Sequence, residues 1–224
     1  MFLSGRENRV TYFFTMTNPQ GFADLNISKT VLAALAKLNL TEPTPIQKKA
    51  IPVALAGHDV IGIAQTGTGK TLAFGIPAIE RILATKKQAV IIAPTRELAL
   101  QVGDSLSKFG QSFNLKVAVL IGGEFFDKQL FQLRRNPEII VATPGRLIDH
   151  MKRRTFKIEG INTLILDEAD MMLDMGFAPQ IKEILEAAPK ERQTMLFSAT
   201  MPAEIVKIAT NYLKTPTSIE VAPP

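Results

Sequence analysis

The fold of this chain is decided by residues 59–71, which read DVIGIAQTGTGKT. The first part of this stretch is apolar and β-branched, as in a buried strand, and a segment of helical period follows it. Between the two lies a loop close to the pattern G-x-x-x-x-G-K-[ST], with Ala64 at the first glycine position. The stretch therefore predicts a strand, a phosphate-binding loop and a helix in succession.

The residue types of this loop suit the binding of a triphosphate. Gly67 and Gly69 let backbone N–H groups approach phosphate oxygens, and the helix N-terminus adds the positive end of its dipole. Lys70 can reach the β- and γ-phosphates, and the Thr71 hydroxyl can ligate Mg²⁺. A glycine-rich turn without a ligand is the alternative, but GKT between a strand and a helix makes that uncommon. The predicted ATP-binding residues of the loop are Ala64, Gln65, Thr66, Gly67, Thr68, Gly69, Lys70 and Thr71.

Outward from this loop, short β-branched segments alternate with longer segments of helical period. Strands are predicted near residues 59–63, 89–93, 116–121, 138–142, 163–166, 194–197 and 218–221. Helices are predicted near residues 28–38, 45–55, 70–84, 96–108, 124–134, 145–153, 178–188 and 202–212. Several strands are almost continuously apolar, which is typical of burial on both faces of a parallel sheet. We predict an α/β fold with a mostly parallel, doubly wound sheet flanked by helices, and ligands beyond the carboxyl ends of its strands.

The composition fits one folded domain of ordinary size. The chain has 224 residues, of which 46% are hydrophobic, and no cysteine, which excludes disulfides and thiolate metal sites. Lysine and arginine number 26 against 21 acidic residues, a balance that fits a polyanion but is common elsewhere. No apolar run approaches the roughly 18 residues of a membrane span. We expect a cytoplasmic monomer with no membrane contact, and a flexible leader over residues 1–18.

A second candidate for chemistry follows the strand at residues 163–166, where the chain reads DEAD at residues 167–170. Asp167 would hold Mg²⁺, and Glu168 would orient and deprotonate an attacking water. By itself such a segment is more often a solvated helix start, but the phosphate loop upstream favours the catalytic interpretation. The predicted catalytic residues are Lys70, Asp167 and Glu168, and the predicted metal ligands are Thr71 and Asp167.

These motifs make the chain resemble the DEAD-box family of RNA-dependent ATPases. The resemblance covers about residues 21–221 and implies a RecA-like P-loop NTPase domain over residues 19–221. Its motifs occur in the expected order: I at residues 64–71, Ia at 94–99 (PTRELA), the double glycine at 122–123 with Gln129 after it, Ib at 143–146 (TPGR), II at 167–170 and III at 198–200 (SAT).

Three of these motifs are implied to contact the RNA backbone. Each follows a predicted strand and offers glycine N–H groups, a threonine hydroxyl or a helix N-terminus to a phosphate. Backbone contacts predict little sequence preference, and contacts to 2′-hydroxyls would favour RNA over DNA. Ordinary turns and helix caps remain the alternative at each motif. The implied RNA-binding residues are Pro94, Thr95, Arg96, Gly122, Gly123, Thr143, Pro144, Gly145 and Arg146.

Upstream, Phe22 and residues 43–47 (PTPIQ) resemble the family's Q motif, which implies adenine contacts for Phe22 and Gln47. A glutamine amide carries the donor and the acceptor that such a contact needs. The spacing alone favours a capping box instead, with Thr44 as N-cap and Gln47 at N3, and both roles are compatible. The family usually has glycine where this chain has Asn39, and asparagine tolerates a positive φ.

Ser198 and Thr200 are implied to link the catalytic carboxylates, Asp170 especially, to the RNA-bound state. A cap for the helix predicted at 202–212 is an equally good interpretation of these hydroxyls from sequence alone.

The resemblance implies an ATP-dependent RNA helicase that uses ATP and Mg²⁺ and binds RNA. A second RecA-like domain, which would supply two arginines to the γ-phosphate, is absent from this sequence, and residues 222–224 would begin the linker to it. We therefore expect the chain alone to bind ATP weakly and to hydrolyse it very slowly. The alternatives are a non-catalytic clamp that binds nucleotide and RNA, and a P-loop ATPase acting on DNA or protein.

Overall fold

The computed structural model describes residues 21–222, so the predicted leader over residues 1–18 lies outside it. Its strands are the seven predicted, each shifted by at most two residues at either end. They are β1 (Val60–Ile63), β2 (Gln88–Ile92), β3 (Val117–Leu120), β4 (Ile139–Ala142), β5 (Ile161–Leu166), β6 (Gln193–Ser198) and β7 (Thr217–Glu220). They form one sheet in the order β3-β4-β2-β5-β6-β1-β7, and every described pairing is parallel.

The eight predicted helices are also present. They are α1 (Lys29–Lys37), α2 (Pro45–Leu55), α3 (Lys70–Thr85), α4 (Arg96–Gly110), α5 (Phe126–Arg134), α6 (Pro144–Lys152), α8 (Ala178–Ala187) and α9 (Ala203–Tyr212). A further helix, α7 (Ala169–Asp174), was not predicted from the sequence. With six residues, α7 is too short to show a helical period of apolar positions. No helix among residues 21–222 is long and apolar enough to cross a membrane.

The sheet separates two apolar cores, which explains the continuous apolar strands. In β2, Ala89 and Ile91 pack into one core, while Val90 and Ile92 pack into the other. Successive side chains of a strand point to opposite faces, so both faces of β2 are buried. The doubly wound architecture predicted from the sequence is therefore confirmed.

The strand order determines which loops become neighbours. The chain passes from β1 to β2 across the positions later filled by β6 and β5, and β3 and β4 then extend the sheet on the far side of β2. The carboxyl ends of β2, β3 and β4 consequently form one half of the sheet edge. The ends of β1, β5 and β6 form the other half, and the candidate site extends along both.

Candidate nucleotide and nucleic-acid site

The predicted phosphate loop joins β1 to α3, which begins at Lys70. The loop is tied to β6 at its start by a 3.0 Å hydrogen bond from the Ala64 N–H to the Ser198 carbonyl. Gly67 and Gly69 have φ of +83° and +94°, the left-handed region that glycine adopts without strain. Gly67 faces open space on the side where a Cβ would stand, so its backbone leaves room for a bulky anion.

The structure brings together two of the predicted catalytic residues across almost 100 positions of sequence. The Lys70 ammonium lies 2.7 Å from Glu168 Oε1, and both side chains are buried. Lys70 also donates to the Ala64 carbonyl at 3.1 Å, and the Thr66 hydroxyl donates to Glu168 Oε1 at the same distance. The ammonium is thus neutralised by the protein's own carboxylate at the mouth of the phosphate loop.

Glu168 owes this position to an unusual backbone conformation. Its φ of 52° and ψ of 51° lie in the left-handed region, which costs a residue with a Cβ about 1–2 kcal/mol. The turn ends β5 and starts α7, and it allows the Glu168 N–H to donate to Asp167 Oδ1 at 3.1 Å. Nothing in the sequence signals this conformation, which belongs to the class of strained residues found at functional sites.

Asp167 is the third predicted catalytic residue, and its environment carries an excess of negative charge. The pKa of Asp167 is raised to about 7, mainly by burial and also by the Glu168 carboxylate, which together outweigh the lowering by the Lys70 ammonium. One lysine therefore faces two buried carboxylates, and a divalent cation would balance them. The half-buried Thr71 follows Lys70 and offers a hydroxyl. The donor set fits Mg²⁺, which is held by one or two protein oxygens with phosphate and water as its other ligands.

Residues 21–222 contain no group of three or more His, Cys, Asp or Glu side chains that would hold a metal ion by themselves. The predicted ligands Thr71 and Asp167 would share the ion with a nucleotide. An all-protein metal centre is not what the sequence predicts.

The Q-motif glutamine connects α2 to the phosphate loop. Gln47 Oε1 accepts the Thr44 N–H at 3.0 Å, which is one of the two hydrogen bonds of the predicted capping box, whereas the Thr44 hydroxyl makes no hydrogen bond. Gln47 Nε2 donates to the Gly69 carbonyl at 2.9 Å, and a Cβ on Gly69 would stand 2.6 Å from Nε2. One amide proton and one lone pair of Gln47 remain for a ligand. Asn39 has a φ of 56°, as predicted from its tolerance of that region.

Phe22, the other residue predicted to contact adenine, begins a short 3₁₀ helix (Phe22–Leu25). Its side chain is buried in the core on the α2 and α3 side of the sheet. The adenine contacts of Phe22 and Gln47 stay predictions.

The predicted coupling residues form one hydrogen-bonded cluster between β5 and β6. Asp170 Oδ2 accepts the Thr200 N–H at 2.9 Å and the Thr200 hydroxyl at 2.8 Å. The Asp170 N–H donates to Ser198 Oγ at 3.1 Å. Burial opposes ionisation of Asp170, but the bonds with Thr200 and Ser198 prevail and lower its pKa. The capping alternative is wrong, because α9 has Pro202 as its N-cap and no side-chain cap bond.

The three motifs predicted to contact RNA lie side by side at the ends of β2, β3 and β4. The Arg96 guanidinium packs so closely on Gly123 that a Cβ there would overlap it, and Gly123 has a φ of +76°. Arg146 Nη1 donates to the Glu124 carbonyl at 3.1 Å. The two arginines therefore support the double-glycine loop, Arg96 at Gly123 and Arg146 at Glu124.

The remaining predicted RNA-contact residues surround this loop in different environments. Thr95 caps α4 by accepting the Leu98 N–H at 3.2 Å, whereas Thr143 makes no such bond at the start of α6. Pro94 and Pro144 are buried, while Gly145 is exposed and Gly122 is half-buried. The prolines thus shape the two helix starts and present little surface of their own.

Beneath this surface lies a buried cluster for which sequence reasoning gave no role. Gln129 Nε2 donates to the Ile121 carbonyl at 2.8 Å, and His150 Nε2 bonds to Gln129 Oε1 at 3.0 Å. His150 Nδ1 lies 2.8 Å from Thr155 Oγ1, and the Phe126 ring stacks on the imidazole with centroids 4.2 Å apart. The only sequence signal was Gln129, which follows the double glycine at the family's spacing.

His150 is the centre of this cluster, and it is neutral at physiological pH. Burial, together with the positive charge of Arg146, lowers its pKa to about 4. The Gln129 amide nitrogen donates to the Ile121 carbonyl, so the Gln129 Oε1 is the atom that faces the imidazole. An amide oxygen can only accept, and His150 Nε2 is therefore the donor in the bond between the two side chains. The imidazole thus connects α6 to α5 and, through Gln129, to the end of β3.

Comparison with known proteins is consistent with this arrangement. The family model described as DEAD/DEAH box helicase matches residues 44–208. The chain is 50% identical over 202 residues to DEAD-box ATP-dependent RNA helicase CshA of Bacillus subtilis (strain 168), covering 89% of this chain and 41% of the relative. CshA of Bacillus licheniformis is also 50% identical, over 89% of this chain and 42% of the relative.

Two solved structures share the fold. A hypothetical ATP-dependent RNA helicase from Sulfolobus tokodaii has a TM-score of 0.81 and 36% identity, over 87% of this chain and 57% of that one. A DEAD box protein from Methanococcus jannaschii has a TM-score of 0.85 and 40% identity, over 90% and 56%.

The chain belongs to the DEAD/DEAH box helicase family. The predicted family and the predicted RecA-like fold are confirmed. The chain spans less than half the length of the two Bacillus relatives that it matches.

Proposed function

We propose that this chain provides the nucleotide-binding and RNA-binding domain of an ATP-dependent RNA helicase. The observation that carries the proposal is the meeting of Lys70 and Glu168 at 2.7 Å, next to Asp167, at the mouth of the phosphate loop. The family that the chain belongs to supports ATP as the nucleotide. The names of the relatives support RNA as the partner.

In this proposal the Lys70–Glu168 ion pair is the resting state of the site. The phosphates of ATP and the Glu168 carboxylate are both anions, so they compete for the Lys70 ammonium. Among residues 21–222, Glu168 is the carboxylate that lies at salt-bridge distance from Lys70. Once the pair is broken, Glu168 is free to hold the attacking water, while the Thr66 hydroxyl keeps its carboxylate in place. Thr71 and Asp167 would hold Mg²⁺, which supplies charge neutralisation at the phosphates. Gln47 and Phe22 would contact the adenine.

RNA binds along the other half of the sheet edge. Arg96 and Arg146 supply positive charge, and the loop at Gly122 and Gly123 supplies backbone N–H groups to the phosphates. The Asp170–Thr200–Ser198 cluster lies at the ends of β5 and β6, between the nucleotide-binding half and the RNA-binding half of the sheet edge. It would couple nucleotide binding in one half to RNA binding in the other. A monomer is proposed, with a second RecA-like domain completing the site.

The non-catalytic clamp is not favoured. The relatives are named ATP-dependent helicases, and the lysine and the two carboxylates that hydrolysis requires are all present and adjacent.

The test joins this chain to the C-terminal remainder of the Bacillus subtilis relative and measures ATP hydrolysis with and without single-stranded RNA. We expect RNA-stimulated turnover, weaker stimulation by single-stranded DNA, and very slow turnover by the 224-residue chain alone. Glu168→Gln should abolish turnover and retain ATP-dependent RNA binding. Full turnover in that variant, or equal stimulation by DNA, would contradict the proposal.

A further inference from the structure

Phe125 is the most exposed large hydrophobic side chain of residues 21–222, with 83% of its surface accessible. It directly follows the double-glycine loop and Glu124, at the position that caps α5. An exposed phenylalanine is common enough on protein surfaces to need no explanation by itself. What distinguishes Phe125 is the combination of its rigid support and the charge around it.

The backbone on both sides of Phe125 is held by side chains from α6. Before it, the Glu124 carbonyl accepts the Arg146 guanidinium at 3.1 Å. After it, Phe126 stacks on His150, which is fully buried. The exposed ring is therefore presented from a fixed position. A ligand that contacts it has little backbone ordering left to oppose binding.

Two arginines lie against Phe126, the residue that follows Phe125. The Arg153 guanidinium lies 4.5 Å from the centroid of the Phe126 ring, and Arg146 lies 5.9 Å from it. Two acids of this surface are already paired, Glu124 with Lys128 at 3.0 Å and Asp149 with Arg153 at 2.9 Å, whereas the exposed Asp127 in the first turn of α5 is in no ion pair among residues 21–222. An aromatic ring among arginines suits a ligand that is both anionic and flat. Single-stranded nucleic acid has both properties, whereas a hydrophobic protein surface would leave Arg96 and Arg146, which have no carboxylate at salt-bridge distance among residues 21–222, without an anionic partner.

We propose that Phe125 stacks on one base of a single-stranded RNA whose phosphates run along the double-glycine loop between Arg96 and Arg146. The proposal rests on the RNA-binding role proposed above. It adds a contact to a base to a surface whose other proposed contacts are to the RNA backbone. Stacking tolerates every base but is stronger for purines, which have the larger π-face. The complex should therefore show a modest purine preference at one position of the RNA.

The test compares wild-type chain with Phe125→Ala, using fluorescently labelled oligouridine in which one nucleotide at a time is replaced by an abasic site or by adenosine. Wild type should lose about tenfold in affinity when the stacked base is removed, and adenosine at that position should bind more tightly than uridine. Phe125→Ala should bind the intact RNA about tenfold more weakly and lose both position effects. Phe125→Tyr should restore them.

Phe131→Ala is the matched control, since Phe131 is also exposed, with 65% of its surface accessible, and belongs to the same helix. It lies six residues on, which rotates it by about 240° from Phe125 around α5. It should leave the affinity and the position effects unchanged.

The outcomes separate this inference from the proposed function. Loss of RNA binding in Arg96→Ala and Arg146→Ala, with full binding and intact position effects in Phe125→Ala, would overturn the stacking contact and leave the RNA-binding role standing. Failure of the wild-type chain to bind any of the oligonucleotides would count against the RNA-binding surface itself. An equal loss in Phe125→Ala and Phe131→Ala would overturn the stacking contact as well, because it would indicate a general effect of surface apolar area.

Discussion

The two halves of the sheet edge are built on different physical principles. At the ends of β1 and β5, a lysine and two carboxylates are buried together, and the ion pair of Lys70 with Glu168 is shielded from water. At the ends of β2, β3 and β4, the arginines lie near the surface against glycine backbone, and the support beneath them is a neutral histidine. The charged groups of the first half are buried, and those of the second half lie near the surface.

This difference suits the two ligands that we propose. A triphosphate is small and needs concentrated charge with water excluded, where electrostatic interactions are strong. A nucleic-acid backbone is long and needs charge spread over a solvent-facing surface. The comparison predicts that changes in one half affect its own ligand and leave the other ligand's intrinsic affinity almost unchanged.

The largest effect is expected from Lys70→Ala. Removing the ammonium deletes the charge-assisted contact to the phosphates and leaves Glu168 and Asp167 facing each other, so nucleotide affinity should fall by about 100-fold or more. RNA affinity measured without nucleotide should change by less than about twofold. Titrations with a fluorescent ATP analogue and with labelled RNA measure both quantities. The exposed Lys108 provides a control, as Lys108→Ala should change neither.

Unchanged nucleotide affinity in Lys70→Ala would mean that the phosphate loop is not the nucleotide site. An equal loss of RNA affinity would mean that the two halves do not act separately.

The next effect concerns the histidine under the RNA half. The pKa of His150 is about 4 in the folded chain against an ordinary value of 6.5, so between these values the unfolded chain binds a proton that the folded chain does not. The free energy of unfolding should therefore fall as pH decreases, by about 2 kcal/mol between pH 7 and 5 from this group alone.

Chemical denaturation of wild type and His150→Gln across this pH range isolates the contribution, since the other titrating groups are shared. The stability advantage of wild type over the variant should be largest above pH 6.5 and should shrink toward pH 5. A difference between the two proteins that does not vary with pH would show that the imidazole charges as freely in the folded chain as in the unfolded one.

The double glycine offers a matched pair of smaller changes. Gly123→Ala places a methyl group against the Arg96 guanidinium at a φ of +76° and should lower the free energy of unfolding by about 1–2 kcal/mol. It should also weaken RNA binding several-fold, because Arg96 must move. Gly122→Ala meets no atom within 4 Å and should leave stability unchanged. Thermal unfolding compares the two, and equal stabilities would contradict the close packing of Arg96.

The smallest effect is an increase in affinity. Glu168→Gln removes the charge that neutralises Lys70, so the phosphates of ATP no longer displace a carboxylate. Because the glutamine oxygen can still accept a hydrogen bond from the ammonium, nucleotide affinity should rise by only about two- to fivefold. Glu191→Gln is the control, because it removes an exposed carboxylate that is paired with Lys214 before the start of β6, away from the phosphate loop. Weaker nucleotide binding in Glu168→Gln would indicate that the ion pair prepares the site and does not compete with the ligand.

Much of this molecule was predictable from its sequence because local patterns and global fold agree. Strands buried on both faces have continuous apolar sequences. The predicted ends of all seven strands lie within two residues of the observed ends. The bond from the Thr44 N–H to Gln47 and the positive φ of Asn39 followed from side-chain chemistry alone, whereas the predicted cap bond of the Thr44 hydroxyl is not formed. The missed features are those with no local signal. They include the short helix α7, the left-handed backbone of Glu168 and the cluster around His150, whose partners come from three separate segments.

By itself the sequence determined which residues are suited to phosphate, metal and backbone contacts, because glycine, lysine and carboxylate chemistry is local. The tertiary structure alone decided how these residues are grouped. Along the chain the three RNA motifs lie between the phosphate loop and the acidic motif, yet the sheet order places β2, β3 and β4 on one side and β1, β5 and β6 on the other. That sorting arises from strand pairing between segments distant in sequence, which no local pattern encodes.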